Sequence, residues 1–209
     1  MTKHIGVARV AAHIDNHLKR VSQDRRIVVA IAGPPASGKS TLADALRNEI
    51  SAPACVLGMD AFHFDDVILN ARGHRNRKGA PHTFDVVSYT NTLRSLRATP
   101  IAEFSIPVFD RTLELTRNCA EYVSHNQKVV ITEGNYLLLD SPQWTPAQEL
   151  FDLTIWLDVE PAELERRIRR RWTDAGLDPT EVERRTVDND MPNARFVIDN
   201  ARPADIVVR

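Results

Sequence analysis

Cysteine, surplus charge and long apolar runs are all scarce in this chain, and each scarcity excludes something. Only Cys55 and Cys119 occur in 209 residues, far apart and in neither CxxC nor metal-ligand spacing. That rules out a disulfide scaffold and leaves two reduced thiols, as in a cytoplasmic protein. The formal net charge is −1, so no overall field draws the chain to nucleic acid or to an anionic membrane, and neither is expected as a partner. No apolar run approaches the ~18 residues a membrane span requires. Nothing at the N-terminus reads as a signal peptide. In VARVAAHIDNHLKRV, Val7, Val10, Ile14, Leu18 and Val21 recur at helical spacing while His13, Asp15 and Asn16 interrupt the apolar run, the pattern of an amphipathic surface helix. Repeats and low-complexity linkers are absent too. At 43% hydrophobic residues, the chain suits a single well-packed domain over 1–209 with a small mobile appendage.

What is present alternates. RIVVAIA (26–32), ACVLGM (54–59), KVVITEG (128–134), DLTIWLDV (152–159) and ADIVVR (204–209) are short apolar runs, mostly continuous and β-branched. Strands of a parallel sheet covered on both faces read this way. Helical patterns lie between them at 39–50, 86–98 and 161–173, the last opening with Pro161 at a favourable first-turn position. Strand and helix in alternation predict a three-layer α/β domain. Segment 63–85 is rich in His, Arg, Asn and Gly without clean periodicity. A connection that long is usually functional or disordered.

The first strand runs into GPPASGKST, which completes G-x-x-x-x-G-K-[ST] between a strand and a helix. The glycines let successive backbone N–H groups converge on one anion, and the helix beginning near Lys39 adds its positive end. Pro34 and Pro35 fix φ and limit the entropy lost when the loop orders. The expected phosphate cradle is Gly33, Pro34, Pro35, Ala36, Ser37, Gly38, Lys39, Ser40 and Thr41. In it Lys39 supplies charge for the β- and γ-phosphates and Ser40 a hydroxyl for Mg²⁺. A second oxygen ligand for the metal is expected from Glu133, directly after the apolar run 129–132, because acids at the carboxyl edge of a parallel sheet face the ligand crevice. Asp60, in GMDAFHFDD after the second strand, would sit beside the cradle and accept a proton from a substrate hydroxyl. Neither an NKxD-like guanine reader nor an LSGGQ element occurs.

GPPASGKST, MDAFHFDD, RKGAPHTFDVVSY, PVFDRTLE, VVITEGNYLLL and ARPADIVV fall in the order seen in the uridine kinase/phosphoribulokinase/bacterial pantothenate kinase superfamily. From about residue 26 onward the chain resembles that superfamily, and most of all its bacterial fructose transport system kinase (uridine kinase-like) group. The resemblance implies a P-loop kinase fold, ATP and Mg²⁺, and transfer of the γ-phosphoryl group to an alcohol. It places Asp60 in the family's catalytic-base position and Glu133 as the magnesium-associated carboxylate.

Substrate contacts are expected from His63, Arg75, Lys78, His82 and Asp85 in the polar segment, and from Asp110 and Arg111 in PVFDR, with Phe109 beside them. Phe84 reads better as a core anchor. Arginines fill five of the six positions 166–171. Six successive helical residues pass round more than a full turn, so these five cannot share one face. A small arginine-rich lid over about 166–185 is expected, in which a short segment after the helix, around Ala175 to Pro179, lets the arginines close on the phosphates; the resemblance favours Arg166, Arg167 and Arg170 as the lid arginines. Closure would exclude water from the reaction. The leading acceptor is a sugar or sugar-like alcohol. The alternatives are pantothenate, a nucleoside, or no acceptor at all in an ATP-binding regulator of sugar uptake. Asp60 argues against the regulator, since ATP binding alone needs no base. The oligomeric state stays open, with a homodimer entertained.

Overall fold

The structure, a computed structural model, describes residues 6–22 and 24–209. In chain order its elements are α1 (Val7–Leu18), β1 (Ile27–Ala32), α2 (Lys39–Glu49), β2 (Ala54–Gly58), α3 (Asp66–Ala71), α4 (Val86–Arg97), β3 (Phe104–Asp110) and β4 (Leu115–Val123). There follow β5 (Val129–Gly134), α5 (Thr145–Gln148), β6 (Leu153–Leu157), α6 (Pro161–Asp174), α7 (Pro179–Arg185), α8 (Met191–Asn200) and β7 (Ile206–Val208). Five strands form one parallel sheet in the order β2-β5-β1-β6-β7, and β3 and β4 pair separately as an antiparallel hairpin.

Because strand side chains alternate, β1 divides its own run between two cores. Ile27, Val29 and Ile31 pack with Ile14 of α1 and with Leu42 and Leu46 of α2. Val28, Ala30 and Ala32 pack on the other face with Tyr89 and Leu93 of α4 and with Trp144. All six β1 residues are buried, which is why the run is continuously apolar. The three-layer α/β expectation holds, and the expected strands and helices match within a few residues at each end.

Two features carry the sheet's lower edge. Arg26 is fully buried, and its guanidinium donates to the carbonyls of Gln127 (2.9 Å), Leu96 (3.0 Å), Ala102 (2.9 Å) and Ser124 (2.9 Å). Asp152 accepts from Arg25 (2.9 Å), Arg97 (3.0 Å) and the Val28 amide (2.9 Å), which fixes the approach to β6 against β1.

Segment 63–85 departs from a plain loop: it holds α3 and single 3₁₀ turns at Arg75–Arg77 and Pro81–Thr83. α6 runs unbroken through Asp174, so all five arginines ride on a rigid helix, and the connection to α7 is only 175–178. The hairpin, α8 and a single π-turn at Thr186–Asp190 are additions that the sequence pattern does not predict. Among the described residues no helix is long and apolar enough to cross a membrane.

Candidate active site

At the carboxyl end of β1 the chain turns through Gly33–Gly38 and enters α2 at Lys39. Gly38 caps that helix with φ +100°, a left-handed conformation that a side chain resists. The first amides of α2 have no helical acceptor of their own, which makes the helix start a ready anion site. Lys39 is buried at 8% exposure. Its ammonium donates to the Pro34 carbonyl at 2.8 Å and to Ser37 Oγ at 3.5 Å. Burial pulls its pKa down to about 8, against the charges of Glu133 and Asp60, which favour the protonated form.

The sheet register delivers the acids. Glu133 lies opposite Ile31 of β1 on one side and Gly58 of β2 on the other, so it stands between the cradle and the turn after β2. Ser40 Oγ donates to Glu133 Oε1 at 3.1 Å. Burial, and then the neighbouring charge of Asp60, raise the Glu133 pKa. The 3₁₀ turn Met59–Phe62 carries Asp60, and it sits close because position 134 is glycine: a Cβ there would lie 2.4 Å from Met59 Cβ.

Asp60 Oδ2 accepts from Arg111 Nη2 at 2.9 Å. Burial opposes ionisation of Asp60, but His63, Arg111 and Lys39 outweigh it and hold the carboxyl below its ordinary range. His63 is itself lowered, chiefly by burial, so the Arg111 ion pair is the partner that persists at neutral pH. Arg111 is presented by the hairpin turn, which Asp110 shapes by accepting from the amides of Thr112 and Leu113 at 3.0 and 3.1 Å. Thr116 Oγ1 donates to the Ala61 carbonyl and ties the hairpin to the Asp60 turn.

The expected substrate residues fall into two groups. His63 accompanies Asp60, with Nδ1 2.8 Å from the Asp60 carbonyl and its ring 4.0 Å from that of Phe84. Lys78 joins them through Phe109, over whose ring its ammonium lies at 5.9 Å, while donating to Asp66 at 2.8 Å and to the Glu114 carbonyl at 3.2 Å. Arg75 binds the other oxygen of Asp66 at 2.7 Å. Asp85 and Asp110 have structural partners instead: both oxygens of Asp85 are taken up by Ser88 at the start of α4, and Asp110 caps the hairpin turn. His82 stacks edge-on with His74. Phe84 is buried in the core, as expected.

On α6 the helical period separates the arginines. Arg166, Arg167, Arg170 and Arg171 line one pocket with Glu163 and Asp174, whereas Arg169 pairs with Glu165 and Glu183. Arg167 reaches the cradle, donating to the carbonyls of Ala36 (3.3 Å) and Ser37 (3.2 Å) while pairing with Glu163. Arg166 pairs with Glu163 and Arg170 with Asp174, and both are well exposed. Sequence reading passes over Asp66, Arg171 and Asp190 as functional candidates. Their pairings are not legible there, because Asp190 is separated from Arg171 by the whole of α7.

A phosphate cradle, two acids and a basic helix thus meet at one end of the sheet. Residues 28–209 match the Phosphoribulokinase / Uridine kinase family. The chain belongs to that family. It is a P-loop kinase, transferring a phosphoryl group from ATP, with a metal ion, to a small molecule. A Schizosaccharomyces pombe protein named "Putative uridine kinase C227.14" is 34% identical over 200 residues, covering 90% of this chain and 85% of its own. The pantothenate kinase of Listeria welshimeri is 26% identical over 161 residues, spanning 72% of this chain and 51% of its own length. Among solved kinases of this fold, a "putative fructose transport system kinase" from Silicibacter sp. TM1040 superposes with a TM-score of 0.90 at 36% identity, covering 98% of this chain and 99% of that one.

Proposed function

We propose that the chain is a cytoplasmic kinase acting on a hydroxyl of a sugar or sugar acid, with Asp60 as the general base. The observation carrying this is the convergence of Asp60, Lys39 and Glu133 at the carboxyl ends of β2, β1 and β5, a base and a phosphate cradle within one crevice. Asp60 is kept ionised by Arg111, so it takes the proton as the acceptor oxygen attacks the γ-phosphorus. Lys39 leaves its loop carbonyl for the β- and γ-phosphates, and Arg167, already at the cradle, shields the transferring group from water.

The Ser40 hydroxyl and the Glu133 carboxylate are hard oxygen donors set 3.1 Å apart. They fit Mg²⁺, which would take its remaining ligands from phosphate and water. Held there, Mg²⁺ would supply charge neutralisation on the phosphates. Ser40 and Glu133 would hold it beside Lys39.

The acceptor class rests on the lining. Of the aromatic rings near Asp60, Phe62 and Phe84 are buried in the core and Phe64 carries the Arg72 guanidinium on its face. That leaves Phe109 as a stacking surface for a base, beside His63, Lys78 and Arg111, which suit hydroxyls and carboxylates. The Silicibacter kinase, named for fructose transport, points the same way. An ADP-release screen over ketoses, aldoses, sugar acids, glycerate, pantothenate and nucleosides tests the reading. A sugar or sugar acid should turn over fastest, and the matching deoxy compound should lose up to ~10⁴-fold. Faster turnover of a nucleoside or pantothenate would overturn the acceptor class, and ATP binding with no acceptor would favour the regulator.

A further inference from the structure

Thr186–Asp190 is the one π-turn among the described residues, and such turns cluster at functional sites. It positions a buried carboxylate, Asp190, at 7% exposure. Asp190 Oδ2 accepts from Arg171 Nη2 at 2.8 Å and from Trp172 Nε1 at 2.8 Å. Trp172 in turn carries two guanidinium groups over its ring, Arg171 and Arg185, each 4.6 Å from the ring centre. Arg171 is therefore held three ways: by the Asp190 carboxylate, by the indole beneath it, and by its place on α6. Its Nε is buried and makes no hydrogen bond, so the group retains a donor with nothing to bind.

Arg171 lines the same pocket as Arg166, Arg167 and Arg170, and Arg167 of that pocket reaches the cradle carbonyls. Its charge also helps lower the pKa of Lys39, which places it within electrostatic reach of the phosphates. The turn's other side is stitched to the substrate segment. Arg77 donates to the Asp188 carbonyl at 2.6 Å, and Asn189 Nδ2 donates to the Lys78 carbonyl at 3.1 Å.

We propose that Asp190 is a positioning residue for phosphoryl transfer: from the π-turn it aims Arg171 at the phosphate side of the cleft, in register with the segment that carries Lys78. The inference rests on the kinase reading and not on the identity of the acceptor. A salt bridge that aims a guanidinium matters because a misplacement of about 1 Å can cost ~10²-fold in rate.

The test is single-turnover release of labelled phosphate from Mg-ATP without an added acceptor, together with the Kd of a non-hydrolysable ATP analogue. Asp190→Asn is isosteric and removes the charge that pairs with Arg171, while its amide oxygen can still accept from Trp172, so the fold should persist. We expect it to slow turnover about 10- to 100-fold with little change in Kd, and Arg171→Ala to be at least as slow. The double variant should be no slower than Arg171→Ala alone, because residues acting through one another are not additive. Losses that multiply, or wild-type turnover in Asp190→Asn, would overturn the proposal. So would wild-type turnover in Arg171→Ala, even if Asp190→Asn failed to fold. A wild-type protein that binds no ATP would bring down the kinase reading with it, a result distinct from all of these.

Discussion

Ser40 Oγ and Glu133 Oε1 lie 3.1 Å apart, joining the first turn of α2 to the end of β5. Glu133→Gln removes the negative charge while keeping the shape. The Mg²⁺ concentration for half-maximal ADP release should rise about 10- to 100-fold, the usual cost of disturbing a metal site's support. A titration against MgCl₂ checks this, and an unchanged midpoint would remove Glu133 from the metal site.

Lys39 is the pH-sensitive partner of ATP. In the free protein its pKa is about 8, and bound phosphate favours the protonated form. ATP affinity should therefore be flat below neutrality and weaken as pH rises through 8. Between pH 7 and pH 9 the loss should be about tenfold. Calorimetric Kd values across that range test it, and Lys39→Ala should bind weakly with no such slope.

Asp60→Asn should leave ATP binding intact while kcat falls about 10²–10⁴-fold. Arg111→Ala has a separate signature. Arg111 holds the Asp60 pKa down, so its removal lets that pKa rise. The acid limb of the kcat/KM profile should then move to higher pH. A limb that stays put would mean that Asp60 is not the titrating base.

Gly134→Ala probes the packing that places Asp60. The added Cβ would meet Met59 at 2.4 Å, an overpacking that costs roughly 1–3 kcal/mol. Thermal unfolding should drop by several degrees, at about 2–4 °C per kcal/mol for a chain of this size, and kcat should fall because Met59 and Asp60 move together. Wild-type Tm and kcat would show that the strand absorbs the methyl group.

The sheet and the cradle are legible in the sequence because their physics is local. A strand buried on both faces must be continuously apolar, and a loop that wraps phosphate needs glycine at Gly38. Asp60 and Glu133 stand out as candidates because Asp60 lies just past the apolar run of β2 and Glu133 closes the apolar run of β5. The hairpin is not: in β4 only Val123 is buried, so no alternation marks it. Asp85 and Asp110 show a different limit. An aspartate ahead of a helix or in a tight turn gives the same sequence signal whether it caps the backbone or waits for a ligand, and here both cap. The arginine run shows its period but not its partners. Arg171 finds Asp190 only after α7 has turned the chain back.

The Arg26 guanidinium grips Ala102, just before β3, and Ser124, just after β4, with a single nitrogen. The hairpin between them is thereby a cassette clamped at its stem. Its tip presents Arg111 to Asp60, and the clamp fixes where that tip begins and ends relative to the first strand of the sheet. One buried guanidinium at the foot of β1 thus anchors the loop that faces the acceptor to the same strand whose other end opens into the phosphate cradle.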